Sequence, residues 1–195
     1  TVGLDPNQIR VTGNVGGISI IGVDFGFTYT LLVNTSDSGQ GSLRQVISNA
    51  NAIIGADTVR FELTGGAPYT IQPLTALPII TNPLTIDGAT QAGFGGAPIV
   101  ELNGITTVAS VGLNITAGSS TVRGLVINRF EEGILLDISG NNVVQGNYIG
   151  TNVAGTGDLG NLNNGILIQD SANNTIGGTT AAQRNLISGN DGDGI

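Results

Sequence analysis

The stretch TVRGLVINRFEEGILLDISGNNVVQGNYIG, residues 121–150, decides the fold because parts of it recur further along the chain. The run Gly133-Ile134-Leu135-Leu136 returns 32 residues later as Gly165-Ile166-Leu167-Ile168. Asn141-Asn142 returns as Asn173-Asn174 at the same offset of 32 residues. Self-similarity at a fixed period of this size is typical of repeat architectures, in which each repeat packs on its neighbours.

A shorter period lies inside the longer one. Residues 121–127 align with residues 143–149 at an offset of 22 residues. The longer unit therefore consists of a short turn followed by an inserted loop of roughly ten residues, rich in Gly, Thr and Asp, at residues 153–162.

The repeated runs indicate parallel strands. They are short and rich in β-branched residues, and Gly, Asn or Asp breaks them before a helix could form. Because corresponding runs repeat in the same direction, tight hairpins cannot connect them. The pattern predicts a parallel β-helix, in which every coil stacks on the one before. Asn142 and Asn174 are expected at equivalent corners, where Asn side chains stack as a ladder and serve structure rather than ligand binding.

Residues 33–51 carry the most specific local motif of the chain. Ser42 is suited to be a helix N-cap, and Leu43, Val46, Ile47 and Ala50 follow with i, i+3, i+4, i+7 spacing. The pattern predicts a short amphipathic helix that covers the first coil. Repeat proteins need such a cap because an uncovered end exposes apolar side chains and unpaired strand edges.

Five motifs together resemble a known family: DSGQGSLRQVI (37–47), ADTVRF (56–61), ALPIITNPLTIDG (76–88), VRGLVINRF (122–130) and NNVVQGNYIGTN (141–152). They resemble bacterial secreted and cell-surface right-handed parallel β-helix proteins of the pectate-lyase-like superfamily. The resemblance covers about residues 31–195. It implies an all-β fold, a single-stranded right-handed parallel β-helix, with irregular coils over 57–110 and regular coils over 111–195. It also implies export and a modular parent protein with a surface or adhesive role.

Residues 1–30 differ from the rest and predict a β leader. Residues 9–12 and 18–21 have the composition of strands, and the run GVDFGF follows at residues 22–27. This stretch resembles the closing strands of the B-type, immunoglobulin-like repeats of bacterial surface proteins. We therefore expect either the end of a preceding domain or a strand used in assembly, pairing within the chain or with a neighbour.

The composition excludes several classes of function. Cys and His are absent, which excludes zinc fingers, haem ligation, iron–sulfur sites and the Ser–His–Asp triad. Lys is absent too, which excludes a P-loop and a Schiff base. Six Arg against fourteen acids give a net charge of −8, which does not favour a nucleic-acid partner. Neither a membrane-spanning run nor a signal peptide is expected, and the chain fits a mature exported fragment at the cell surface.

An enzymatic interpretation, that of a polysaccharide lyase, depends on few residues. The possible bases of a polysaccharide lyase are Arg123, Arg129 and Arg184. Arg123 and Arg129 share one repeat with Glu131, Glu132 and Asp137, a combination that more often forms a surface ion-pair cluster. The sequence therefore predicts no catalytic residues and no enzyme. The predicted function is a non-catalytic structural or adhesive module, with a polysaccharide lyase-like enzyme or a carbohydrate-binding module as alternatives.

Ligands and partners follow from the same interpretation. No cofactor is expected, although Asp191 and Asp193 form an oxygen-rich turn that could hold a structural calcium ion. The expected partners are other copies stacked end to end as a filament, neighbouring domains of the parent chain, and cell-surface polysaccharide. Head-to-tail stacking leaves an open assembly, because the two contacting surfaces differ.

Overall fold

The computed structural model describes residues 4–5, 8–9, 29–107 and 109–195. Two short strands, β1 (Leu4–Asp5) and β2 (Gln8–Ile9), pair antiparallel at the start. Most of the predicted leader, including residues 10–12, 18–21 and 22–27, lies outside the described residues.

One helix, α1 (Leu43–Ala52), lies near the start of the core. Ser42 is its N-cap, since the side-chain oxygen accepts a hydrogen bond from the amide of Gln45. The apolar face of the helix is buried in the same core as the sheets through Leu43, Val46, Ile47 and Ala50.

Arg44 fixes the helix to the segments on either side of it. Its guanidinium donates to the Asp37 carboxylate and backbone carbonyl and to the carbonyls of Thr75 and Ala76. The hydrogen bond from Arg44, together with one from the Leu74 amide, holds the pKa of the Asp37 carboxyl below its usual value. Every edge of this guanidinium is therefore occupied.

The remaining secondary structure of the described residues consists of two 3₁₀ segments and short strands. In chain order they are β3 (Leu31–Leu32), β4 (Asp57–Phe61), β5 (Tyr69–Ile71), β6 (Leu84–Asp87), β7 (Val100–Asn103), β8 (Leu113–Ile115), β9 (Thr121–Arg123), β10 (Leu125–Asn128), β11 (Ile134–Asp137), β12 (Val143–Gln145), β13 (Tyr148–Ile149), β14 (Ile166–Gln169), β15 (Thr175–Ile176) and β16 (Leu186–Ile187). Two 3₁₀ segments, Gly88–Thr90 and Ala181–Gln183, lie between strands.

These strands form three parallel sheets, of order β15-β12-β9-β6-β4-β3, β16-β13-β10-β7-β5 and β14-β11-β8. The repeat offsets in the sequence are the offsets of paired strands. Val143 pairs with Thr121 and Thr175, and Ile134 pairs with Ile166. Each turn of the chain therefore adds one strand beside its counterpart, and side chains such as Leu125, Ile127 and Ile134 fill the interior between the sheets.

These observations correct the predicted fold class. The sequence predicted an all-β chain, a single-stranded right-handed parallel β-helix with a short N-terminal capping helix and a β leader. The predicted helix is present as α1, but the described strands form three separate parallel sheets of six, five and three strands, which together with α1 make an α/β arrangement of parallel strands. The three-stranded sheet is the smallest because the early turns do not complete it: Ile80 makes only an isolated bridge to Ile115.

Asparagine ladders join successive turns at three corners. In each ladder a buried backbone N–H donates to the side-chain oxygen of an Asn in the next turn. The backbone N–H of that Asn donates in the same way to an Asn one turn further on. The ladders run from Ser120 to Asn142 and Asn174, from Leu125 to Asn147 and Asn185, and from Phe130 to Asn161 and Asn190. These side chains satisfy backbone groups that the short strands leave unpaired.

Ile138 has a backbone conformation that is unfavourable for its side chain. Its φ is 68° and the side chain is 66% exposed, so a β-branched residue occupies the left-handed region without burying its apolar surface. We expect Ile138→Asn to raise the free energy of unfolding by about 1 kcal/mol, because Asn tolerates this conformation. Urea unfolding measures the change.

The control for this substitution is Ile54→Asn. Ile54 is 99% exposed and has no positive φ, so its replacement removes surface apolarity without relieving the backbone. An equal gain in both variants would show that the backbone conformation of Ile138 carries no strain.

Candidate functional site

A groove on the surface arises from unequal connections between two of the sheets. Residues 88–99 connect β6 to β7 and residues 177–185 connect β15 to β16, and each connection contains a 3₁₀ segment. The two connections that lie between these long ones are short. Gly124 alone connects β9 to β10, and residues 146–147 connect β12 to β13. The long connections form walls, and the short ones form a recessed floor.

The floor consists of backbone because its corner residues are glycines. Gly124 and Gly146 have φ values of 69° and 64°. A Cβ on Gly124 would lie 2.7 Å from the Ala89 amide nitrogen, and a Cβ on Gly146 would lie 2.7 Å from the Ala182 carbonyl oxygen. Any other residue at these corners would strain the turn and push the neighbouring wall away.

A row of polar side chains borders this floor. Asp87, Arg123 and Gln145 pair in register on β6, β9 and β12, and each directly precedes a corner glycine. The Arg123 Nε donates to the Asp87 Oδ1 at 2.9 Å, and the same oxygen accepts from the Ala89 amide. The Arg123 side chain is 50% exposed and that of Asp87 is 17% exposed. The guanidinium is therefore held in place by a sheltered carboxylate while it faces solvent.

One wall carries an aromatic ring. Phe94 lies on the connection between β6 and β7, where its amide donates to the Gln91 carbonyl. Gln91 is 2% exposed and exchanges two hydrogen bonds with the backbone of Leu63, which anchors this loop. The groove encloses about 130 Å³ and is lined by Ala89, Phe94, Arg123, Gly124, Gln145, Gly146, Ala182 and Gln183. An apolar ring, a guanidinium and two amide side chains thus line the same small space.

The arrangement can bind an anionic group and can move a proton. Arginine binds carboxylates and phosphates through paired N–H groups. A carboxylate beside it can accept a proton from a bound molecule. Among the described residues, no group of three or more acidic side chains has the geometry of a metal site.

A second polar cluster lies on another sheet. Glu101 is 8% exposed and accepts from Thr70, Asn103 and Asn128 at 2.8, 3.3 and 2.9 Å. The Asn128 side chain also donates to the Thr151 carbonyl, and its Oδ1 has no hydrogen-bond partner in the described part of the chain. Apart from this oxygen, the cluster is held by hydrogen bonds among its own members, and it connects the strands β5, β7 and β10.

The structure separates the residues of the predicted ion-pair cluster. Arg123 pairs with Asp87 instead of Glu131, Glu132 or Asp137. Glu132 is buried and accepts from Asn163 and the Asn164 amide. Arg129 and Arg184 do not line the groove. The interpretation as one surface cluster was wrong, because strand pairing places Arg123 beside Asp87 and because Glu132 is buried.

The other predicted site residues are placed as follows. Asn142 and Asn174 lie in the first of the three ladders, with the Asn142 amide donating to the Asn174 side chain at 2.9 Å. Asp191 and Asp193 are exposed, and the Asp193 amide donates to Asn164. The structural calcium ion proposed for this turn stays a prediction.

Sequence reasoning missed Asp87, Phe94, Gln145 and Gln183 as site residues. A signal was present, because the runs Ile86-Asp87-Gly88, Val122-Arg123-Gly124 and Val144-Gln145-Gly146 share one form. In each, a polar residue stands between a buried aliphatic residue and a corner glycine. Such residues align along one edge when the strands pair in parallel.

Comparison with known proteins shows a similarity to an enzyme. No protein-family model matches the chain. The chain is 28% identical over 173 residues to a 3-dehydroshikimate dehydratase of Acinetobacter baylyi, a match that covers 77% of this chain and 36% of that protein. The chain thus spans about a third of the length of this curated relative. Within the described residues, no helix has the length and apolar character needed to cross a membrane.

This similarity corrects the predicted function. The sequence predicted a non-catalytic structural or adhesive module that assembles into filaments, and no enzyme. The relative is an enzyme, so the prediction is overturned. The prediction of a non-catalytic function depended on the resemblance to surface β-helix proteins. The motifs behind that resemblance indicate strands and corners, and they do not show which side chains line a groove between the strands. The cell-surface location and the end-to-end partners stay predictions.

Proposed function

We propose that this chain is part of an enzyme that eliminates water from a small hydroxylated substrate. The observation that carries the proposal is the similarity to a 3-dehydroshikimate dehydratase over 173 residues. The groove between the two long connections supports it, since a guanidinium and an aromatic ring line it, and the Asp87 carboxylate is adjacent to it through its hydrogen bond to Arg123. 3-Dehydroshikimate is the first substrate to test.

Asp87 is the proton acceptor in this proposal. Its Oδ1 is occupied by Arg123 and the Ala89 amide, while Oδ2 has no hydrogen-bond partner within the described residues. The carboxylate takes a proton from a carbon of the substrate, a carbon–carbon double bond forms, and the neighbouring carbon–oxygen bond breaks. The departing hydroxide takes that same proton and leaves as water, which restores the carboxylate. Arg123 keeps Asp87 oriented throughout.

The test is incubation of the protein with 3-dehydroshikimate. We expect a product lighter by one water molecule, followed by mass spectrometry and ultraviolet absorbance. In Asp87→Asn the turnover number should fall by about 100-fold or more, because general acid–base catalysis contributes on that scale. The fold should persist, since an amide oxygen can still accept from Arg123 and Ala89.

Asp137→Asn is the matched control. Asp137 lies on β11, outside the groove, and its removal should leave turnover unchanged. Absence of water loss in the full-length protein would overturn the proposal. Equal activity of the wild type and Asp87→Asn would remove Asp87 from the mechanism.

A further inference from the structure

Arg123 is a guanidinium with an open edge. Its hydrogen bond to Asp87 uses only Nε, and over residues 29–107 and 109–195 neither Nη1 nor Nη2 has a hydrogen-bond partner. Arg44 provides the contrast, because it makes four hydrogen bonds that engage all three of its nitrogens. The two Nη groups of Arg123 therefore remain available to a ligand in the groove that this side chain lines.

The amides that line the groove are oriented by contacts outside it. The Gln145 Nε2 donates to the Gly177 carbonyl, which leaves its Oε1 as an acceptor. The Gln183 Oε1 accepts from the amide and hydroxyl of Thr180, which leaves its Nε2 as a donor. The groove thus offers two cationic donors, one neutral donor and one acceptor, and the Phe94 ring lines the same groove.

We propose that this groove is a carboxylate-binding site for a small ring compound, with Arg123 as the residue that recognises the carboxylate. The parallel Nη groups match the two oxygens of a carboxylate, and the Phe94 ring offers a flat apolar face to the ring that bears it. The groove of about 130 Å³ is of a size that suits a small ring compound. A hydroxyl on that ring can donate to the Gln145 Oε1.

This inference rests on the proposed function, because it names the class of molecule that binds in the same groove. Binding of a carboxylate can still be measured without catalysis. The probe is therefore benzoate, a ring carboxylate that carries no hydroxyl to eliminate, with benzamide as its uncharged counterpart. Nuclear magnetic resonance titration at low salt should show saturable shifts of the Gly124 and Gly146 amides with benzoate only. Low salt matters because screening weakens the contact with a half-exposed guanidinium.

The variants test the geometry of recognition. Arg123→Gln should weaken benzoate binding by about tenfold or more, since two charge-assisted hydrogen bonds are lost. The affinity of Arg123→Lys for benzoate should lie between those of the wild type and Arg123→Gln, because an ammonium keeps the charge but lacks the paired donors. Arg60→Gln is the matched control, because Arg60 pairs with Glu62, and both side chains are exposed and lie outside the groove.

The outcomes separate this inference from the proposed function. If benzoate binding requires Arg123 but the protein removes water from no substrate, the proposed carboxylate site is supported and the proposed dehydratase function is overturned. Turnover with an unchanged KM in Arg123→Gln would sustain the dehydratase and overturn the carboxylate site. Equal binding of benzoate and benzamide would also overturn it.

Discussion

Gly140→Ala is expected to lower the free energy of unfolding by about 3 kcal/mol, the upper end of what overpacking costs. A Cβ on Gly140 would collide with the Ala172 carbonyl oxygen, and it would lie 2.6 Å from the Ala172 carbonyl carbon. These atoms belong to the backbone of the next turn, so they cannot move aside as a side chain would. The same carbonyl accepts the Asn141 amide, so any shift also weakens that hydrogen bond.

The control for this prediction is Gly95→Ala. Nothing lies within 4 Å of a Cβ built on Gly95, and its φ is not positive. We expect stability within about 0.5 kcal/mol of the wild type, or a small gain from the less flexible unfolded chain. Urea unfolding of both variants measures the difference. If the two variants were equally stable, the close approach of residues 140 and 172 would be absent from the protein.

Asn147→Ala is expected to lower the free energy of unfolding by about 3 kcal/mol, because it leaves two buried backbone groups without partners. The fully buried Asn147 side chain accepts from the Leu125 amide and donates to the Val122 carbonyl, at 3.0 and 2.9 Å. Both groups belong to the corner at Gly124, so the substitution should also disturb the floor of the groove. Thermal and urea unfolding measure the loss.

Asn174→Ala provides the graded comparison. Asn174 is the last Asn of another ladder and is only half-buried, although it also accepts a backbone N–H, that of Asn142. Water can replace the lost hydrogen bonds there, so we expect a loss of about 1 kcal/mol. A loss at Asn147 no larger than at Asn174 would mean that burial does not set the strength of these ladders.

The ladders show how far sequence reasoning reaches. Asn142 and Asn174 stood out because their spacing of 32 residues is the repeat length. Asn147 and Asn185 are 38 residues apart, and Asn161 and Asn190 are 29 residues apart, although they have the same role. Loops of different length separate these pairs, so a fixed period cannot find them. Only the stacked backbones bring their side chains into line.

The candidate site was hidden for a related reason. The sequence indicates Arg123 as a possible functional residue, but the acids near it in the chain are Glu131, Glu132 and Asp137. Asp87 lies 36 residues away in sequence and is adjacent in space because β6 pairs with β9. The groove exists because two of the connections between strands are long and those between them are short. This difference in length creates a groove only when the turns of the chain lie side by side.

The sequence by itself determined the local elements and their spacing. The Ser42 N-cap, the apolar face of α1 and the offsets of 22 and 32 residues can be read from the printed chain, since hydrogen-bonding side chains and apolar periodicity act over short distances. Only the tertiary structure decided which turns lie side by side, and with them the pairing of Arg123 with Asp87 and the position of the groove. Such contacts join residues far apart in sequence, and they form only when parallel strands stack in register.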